Sequence, residues 1–124
     1  MHQELALLKS WHIKTWASLG REWPDLKKVR TPRAKFDGRL KTTAGQCYVW
    51  KPEIYCSYNL ALMRENLIEF EQTIVPHELA HAAAMILFKD DAHGKGWQGI
   101  MLSLGLEPEV FHTLTTKAQR CKIT

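Results

Sequence analysis

Five consecutive residues, His77-Glu78-Leu79-Ala80-His81, form the one arrangement in this chain with an evident chemistry. On an α-helix of about 3.6 residues per turn, positions four apart share a face, so both imidazoles can turn toward one metal ion. Glu78 follows the first histidine and projects beside that face. There its carboxylate can take a proton from a metal-bound water without being a ligand. Two nitrogen ligands on a rigid element, with a carboxylate base beside them, make the H-E-x-x-H pattern of metal-dependent hydrolases. Two surface histidines flanking an apolar stripe would have the same spacing. The small residues Ala80, Ala82, Ala83 and Ala84 weigh against that alternative, because they suit a closely packed helix.

A catalytic zinc takes three protein ligands and keeps a fourth position open. Downstream, the candidates for the third ligand are His93 and His112, with Glu107 and Glu109 as carboxylates. His93 follows His81 by twelve positions, across a loop containing Asp90, Asp91, Gly94 and Gly96. Such a loop can reverse the chain and return His93 to the metal, so His93 is the expected ligand and His112 the structural residue. The metzincin pattern does not apply, since it requires histidine where Leu87 stands. Metal-assisted hydrolysis follows, with Glu78 as general base. Tyr48, Tyr55, Tyr58 and His112 all remain open as an oxyanion stabiliser, and Trp97 and Met101 are expected to pack rather than react.

These groups need elements to hold them. From Gln3 to Leu19 the positions Leu5, Leu8, Ile13 (or His12), Trp16 and Leu19 recur at helical spacing, with Gly20 placed as a C-terminal cap. Trp11 and Trp16 are expected in the core. Between Trp23 and Ser57, prolines and glycines punctuate short β-prone runs at Lys28–Thr31, Gln46–Trp50 and Glu53–Tyr58. They predict a three-stranded antiparallel sheet, with Lys51-Pro52 as a hairpin turn and Pro52 outside the ladder. Asn59 or Ser57 can cap a helix over Leu60–Arg64, and a longer helical run covers Leu67–Phe88. Pro76 either kinks that run or starts its second half. A loop over Asp90–Gly96, a helix over Trp97–Leu104 and a helical turn or two over Pro108–Thr116 complete the chain, with the last residues unanchored. The fold class is α+β, a small sheet packed on helices.

At 124 residues the chain fits one domain, 1–124, with one modest core. Hydrophobic residues at 45% and charged residues at 24% exclude wholesale disorder. The longest apolar run, Ala82–Phe88, is far short of the roughly 18 residues of a membrane helix. The first twenty residues, with Glu4, Lys9, Lys14 and two tryptophans, do not read as an export signal. Cys47, Cys56 and Cys121 form no C-x-x-C pair, so no disulfide scaffold is expected. The expectation is a monomeric cytoplasmic or nucleoid-associated protein. The net charge of +4 is uneven: Lys9–Lys41 holds ten Lys/Arg against three Asp/Glu, a net +7, leaving −3 elsewhere. That basic segment, 9–41, is the candidate surface for DNA.

Thr43-Ala44-Gly45, Glu53-Ile54 with Asn59, Val75-Pro76-His77-Glu78-Leu79-Ala80-His81 and His93-Gly94-Lys95-Gly96-Trp97 together resemble the SprT-like family over about Trp11 to Arg120. That family includes bacterial SprT proteins and is related to the eukaryotic spartan proteases. The resemblance implies a minimal zincin-type fold, with zinc held by His77, His81 and His93 and Glu78 as general base. It also implies a protein or peptide substrate, and for the eukaryotic members proteins trapped on DNA. Bacterial members typically continue into a cysteine zinc ribbon. Here Cys121 resembles its first ligand, and the expectation is a domain without the ribbon, whose DNA contact would rest on the basic segment 9–41. The rival expectation is a non-proteolytic zinc- or DNA-binding recruitment module on the same fold.

Overall fold

A computed structural model describes residues 2–90, 93–108, 113–115 and 120–122, the last two stretches by backbone alone. Helix α1 (His2–Glu22) buries Leu8, Trp11, Trp16 and Leu19 along one face. Of the two residues that fit its apolar stripe, His12 is buried and Ile13 is 63% exposed. The helix continues two residues past Gly20 rather than capping there. A 3₁₀ turn (Pro24–Lys28) anchored by buried Leu26 then leads to β1 (Arg33–Phe36), β2 (Gly45–Trp50) and β3 (Glu53–Tyr58).

The sheet has the order β1-β3-β2. Strands β2 and β3 pair antiparallel and close at Trp50↔Glu53 around Lys51-Pro52, which keeps Pro52 out of the ladder as expected. Strand β1 pairs parallel with β3, from Arg33↔Tyr55 to Phe36↔Tyr58. The sheet is therefore mixed, which corrects the expectation of an all-antiparallel sheet. The first strand also lies later than Lys28–Thr31, because Pro24 favours a helical first turn and the extended run begins only after Pro32. The connection from Asp37 to Ala44 is too long for a tight hairpin, so β2 lands one place beyond β1 and β3 fills the gap. Asn59 pins that connection: its Nδ2 donates to Leu40 O (3.2 Å) and Thr43 O (3.4 Å). Its Oδ1 accepts from Leu62 N–H at 3.1 Å and caps α2 (Leu60–Glu65), as its side-chain chemistry predicts.

Side chains alternate across the sheet. Gly45, Cys47, Cys56 and Tyr58 lie on the face toward the helices, whereas Tyr48 and Tyr55 stack on the opposite face, 5.8 Å apart.

From Leu67 to Phe88 the chain stays helical through α3 (Leu67–Glu69), a π-helical segment (Phe70–Ile74) and α4 (Val75–Phe88). Val75 N–H reaches back five residues to Phe70 O. The widened turn lies just before Pro76, where the ladder must lose a donor, so the proline starts α4 without ending the helix. Helix α5 (Lys95–Ser103) packs on α4 and begins two residues earlier than expected. The expected helical turn over Pro108–Thr116 is replaced at Thr113–Thr115 by β4, paired antiparallel with β5 (Arg120–Lys122). Threonines suit a strand better than a helix, and the pairing anchors a stretch expected to be loose. Among the described residues no helix is long and apolar enough to cross a membrane.

Candidate metal centre

Every residue of α4 from Val75 to Ala84 is buried. This excludes the surface-histidine alternative: His77 and Glu78 are fully buried and His81 is 9% exposed. The alanines let the helix sit centrally, where β2, β3 and α5 all reach it.

The helix ends at Lys89, which adopts a left-handed conformation (φ 54°). Lys89 N–H and Asp90 N–H both turn back onto Ala84 O, the second at 3.1 Å. The reversed chain is then held by a small clasp. Asp90 Oδ2 accepts from Trp97 N–H at 3.2 Å, taking up one of the unpaired donors of the first turn of α5. Gln98 Nε2 donates to His93 O at 3.0 Å. The backbone approaches its neighbours closely: a Cβ on Gly94 would lie 2.7 Å from Asp90 Oδ2, and one on Gly96 2.7 Å from the Phe88 ring. The glycines of His93-Gly94-Lys95-Gly96-Trp97 thus have a steric reason, and the clasp delivers His93 to α4.

The result is one cluster. His77, His81 and His93 each offer a ring nitrogen, and these atoms all lie within 4.8 Å of one another. His81 Nε2 and His93 Nε2 are 3.1 Å apart. Nitrogens tetrahedrally disposed at about 2.0–2.1 Å from a zinc would be roughly 3.4 Å apart. The three side chains therefore fit a metal ion with small adjustments. Trp97 forms the floor: it stacks on His81 (centroids 5.2 Å, 15°) and meets His77 and His93 edge-on at 5.1 and 4.6 Å. Trp97 packs as its type predicts, and it also meets all three histidine rings. The visible signal was its place four residues after His93, one turn into the returning helix.

Glu78 sits between this cluster and the sheet. A Cβ on Gly45 would lie 3.2 Å from Glu78 Cγ and 3.1 Å from the Tyr58 ring, so the start of β2 lies beside Glu78 and a side chain there would crowd both. Tyr58 is held in turn by His12. The carbonyl of Pro32 can only accept, so His12 Nδ1–H donates to it (3.0 Å) and Nε2 accepts from the Tyr58 hydroxyl (2.8 Å). Burial holds the His12 pKa down at about 4, partly offset by the Pro32 carbonyl.

The other sequence candidates separate clearly. Tyr48 and Tyr55 lie on the far sheet face beneath Lys35, away from the histidines. Tyr58 is buried and engaged by His12, Glu107 is exposed and outside the histidine group, and Met101 belongs to the core. His112 and Glu109 lie outside the described residues. The basic segment 9–41 runs over α1, the 3₁₀ turn and β1, and at least four of its ten Lys/Arg are in ion pairs. Arg30 and Arg33 share Glu53, Arg39 holds Asp37 and Lys28 lies by Asp25.

Residues 9–119 match the SprT-like family. Over 104 residues the chain is 35% identical to Protein SprT of Salmonella arizonae, covering 82% of this chain and 58% of that relative. It is 38% identical over 81 residues to Protein SprT of Actinobacillus succinogenes (64% and 46%) and 37% identical over 67 residues to that of Shewanella oneidensis (52% and 43%). The chain thus spans about half the length of the curated relatives it matches. No solved structure matches it. With the family's match running through the histidine helix, the clasp and the sheet alike, this chain belongs to the SprT-like family.

Proposed function

We propose that this chain is a zinc metalloendopeptidase, with His77, His81 and His93 as ligands and Glu78 as general base. The observation that carries this reading is the convergence of three histidine nitrogens within 4.8 Å, two of them from buried residues and one from half-buried His93, with Glu78 next in chain to the first of them. Imidazole ligands suit zinc among several divalent metals, and three of them leave a position for reacting groups. Zinc, when bound there, would polarise a scissile carbonyl and make a water acidic enough to attack near neutral pH.

The chain's own residues supply the rest. Glu78 takes the proton of the attacking water and passes it to the departing amine nitrogen. Gly45, at the start of β2, lies beside the Glu78 side chain on the sheet side. Strand β2 is at the sheet's edge, with β3 on one side only. An extended peptide can add to that edge, and β2 begins beside Glu78, so such a peptide would run past the histidines in a fixed register. Trp97 packs beneath the rings and excludes water from that side. The narrower proposal is that proteins bound or crosslinked to DNA are substrates.

The test is hydrolysis of casein and of a DNA-crosslinked protein by the zinc-loaded chain and by Glu78→Gln. Cleavage by the parent and at least a hundredfold less by the variant, with equal zinc content, is expected. Equal cleavage by both proteins would overturn the role of Glu78. Zinc binding with no cleavage of either substrate by the parent would favour a recruitment module instead.

A further inference from the structure

The proposed chemistry does not use Cys47 and Cys56. They stand directly opposite each other on β2 and β3 and share the face that packs on α4, Cys56 buried and Cys47 half-buried. The ladder fixes the kind of pair they form. Asn59 N–H donates to Ala44 O at 2.9 Å, so Ala44 and Asn59 make a hydrogen-bonded pair just before the strands begin. Such pairs alternate along an antiparallel ladder with pairs that exchange no hydrogen bonds. Gln46–Ser57, Tyr48–Tyr55 and Trp50–Glu53 are then hydrogen-bonded, and the last closes the two-residue turn. Cys47–Cys56 falls on a site without ladder hydrogen bonds, where facing Cα atoms are about 4.5 Å apart and side chains are closest. A disulfide spans Cα separations of about 4.4–6.8 Å, most often 5.5–6 Å. Both thiols are free.

We propose that Cys47 and Cys56 are a redox modification site that closes to a cross-strand disulfide under a peroxide or a disulfide oxidant and reopens under thiols. With hydrogen peroxide, Cys47 as thiolate attacks the O–O bond, takes one oxygen to become a sulfenic acid and releases the other as water after protonation. The Cys56 sulfur then attacks the Cys47 sulfur. The S–S bond forms, the S–O bond breaks and a second water leaves. Two thiols and one peroxide become one disulfide and two waters. The order of events follows from burial, which pushes the Cys56 thiol well above its usual range and leaves half-buried Cys47 to meet the oxidant first.

Closure also bears on Glu78, and this half rests on the protease reading above. Moving from about 4.5 Å toward the favoured disulfide span parts β2 and β3 by up to roughly 1 Å. Two residues away, Gly45 lies so near Tyr58 and Glu78 that an added Cβ would come within 3.1 and 3.2 Å of them, so a shift of β2 is felt at Glu78. A displacement of about that size near reacting groups can cost up to a hundredfold in rate. The oxidised chain should therefore be the slower protease, by tenfold or more.

The experiment treats the full zinc-loaded chain and Cys121→Ser with graded hydrogen peroxide or oxidised glutathione, then maps peptides without reduction. A peptide linked through Cys47 and Cys56, lighter by two hydrogens and released by dithiothreitol, is expected in both proteins and absent from Cys47→Ser. No such link, with Cys47 oxidised alone or both thiols still alkylated, would overturn the site whatever the protease assay shows. If the link forms while casein cleavage is equal before and after dithiothreitol, the coupling to Glu78 is wrong and the modification site stands. If no form cleaves casein, the protease reading fails and the peptide map still decides the site.

Discussion

Replacing Gly94 by alanine tests whether the clasp between α4 and α5 assembles the histidine cluster. The new Cβ would lie 2.7 Å from Asp90 Oδ2 and 3.1 Å from both Cγ and Oδ1. Ordinary contact needs about 3.4 Å or more, so the whole carboxylate must retreat by roughly 0.7 Å. Asp90 has a short side chain and cannot do this while still accepting from Trp97 N–H at 3.2 Å. The loss combines a broken cap, about 1 kcal/mol, with overpacking of about 1–3 kcal/mol. If half of it falls on the arrangement that presents His93, metal affinity drops about tenfold. Gly99→Ala is the matched control: Gly99 lies on the same helix, and a Cβ there meets nothing within 4 Å. That change should stabilise the helix by up to about 1 kcal/mol. The assay is thermal unfolding with zinc competition against a chromogenic chelator, run on both variants and the parent. Gly94→Ala binding zinc as tightly as Gly99→Ala would refute the clasp as the device that places His93.

Two further outcomes follow from the buried groups. Above pH about 6.5 His12 is neutral whether the chain is folded or not, but between about 6.5 and 4 only the unfolded chain takes up its proton. Stability should therefore fall with pH across that window, by about 3 kcal/mol in all, and the slope from urea unfolding should flatten in His12→Gln. An identical slope in parent and variant would remove His12 as its source. Glu78→Gln should keep one zinc per chain by metal analysis, because Glu78 is not counted among the ligands.

The candidate site was more legible in the sequence than the fold around it. Histidine spacing on a helix is a local property, so His77 and His81 follow from a period of 3.6 residues. His93 needed only a loop able to turn back, which its glycines signal, although their reason lies in contacts with Asp90 and Phe88 that are distant in sequence. Strand direction is not local. The parallel pairing of β1 with β3 depends on how the Asp37–Ala44 connection is tied to Asn59, and alternation of side chains gives no sign of it. Pro76 likewise left two alternatives that only the π turn at Phe70–Ile74 resolves. Trp97 and His12 have ordinary types at apolar positions, so their contacts with the cluster and with Tyr58 emerge only in three dimensions.

The most direct measurement pairs metal content with peptide hydrolysis in one set of preparations: the parent chain, the parent stripped by a chelator and reloaded with zinc, and His93→Ala. The account predicts one zinc per parent chain, casein hydrolysis lost on stripping and regained on reloading, and neither tight zinc nor hydrolysis in His93→Ala. Hydrolysis that persists in the metal-free chain, or a His93→Ala protein that holds zinc as tightly as the parent, would contradict it.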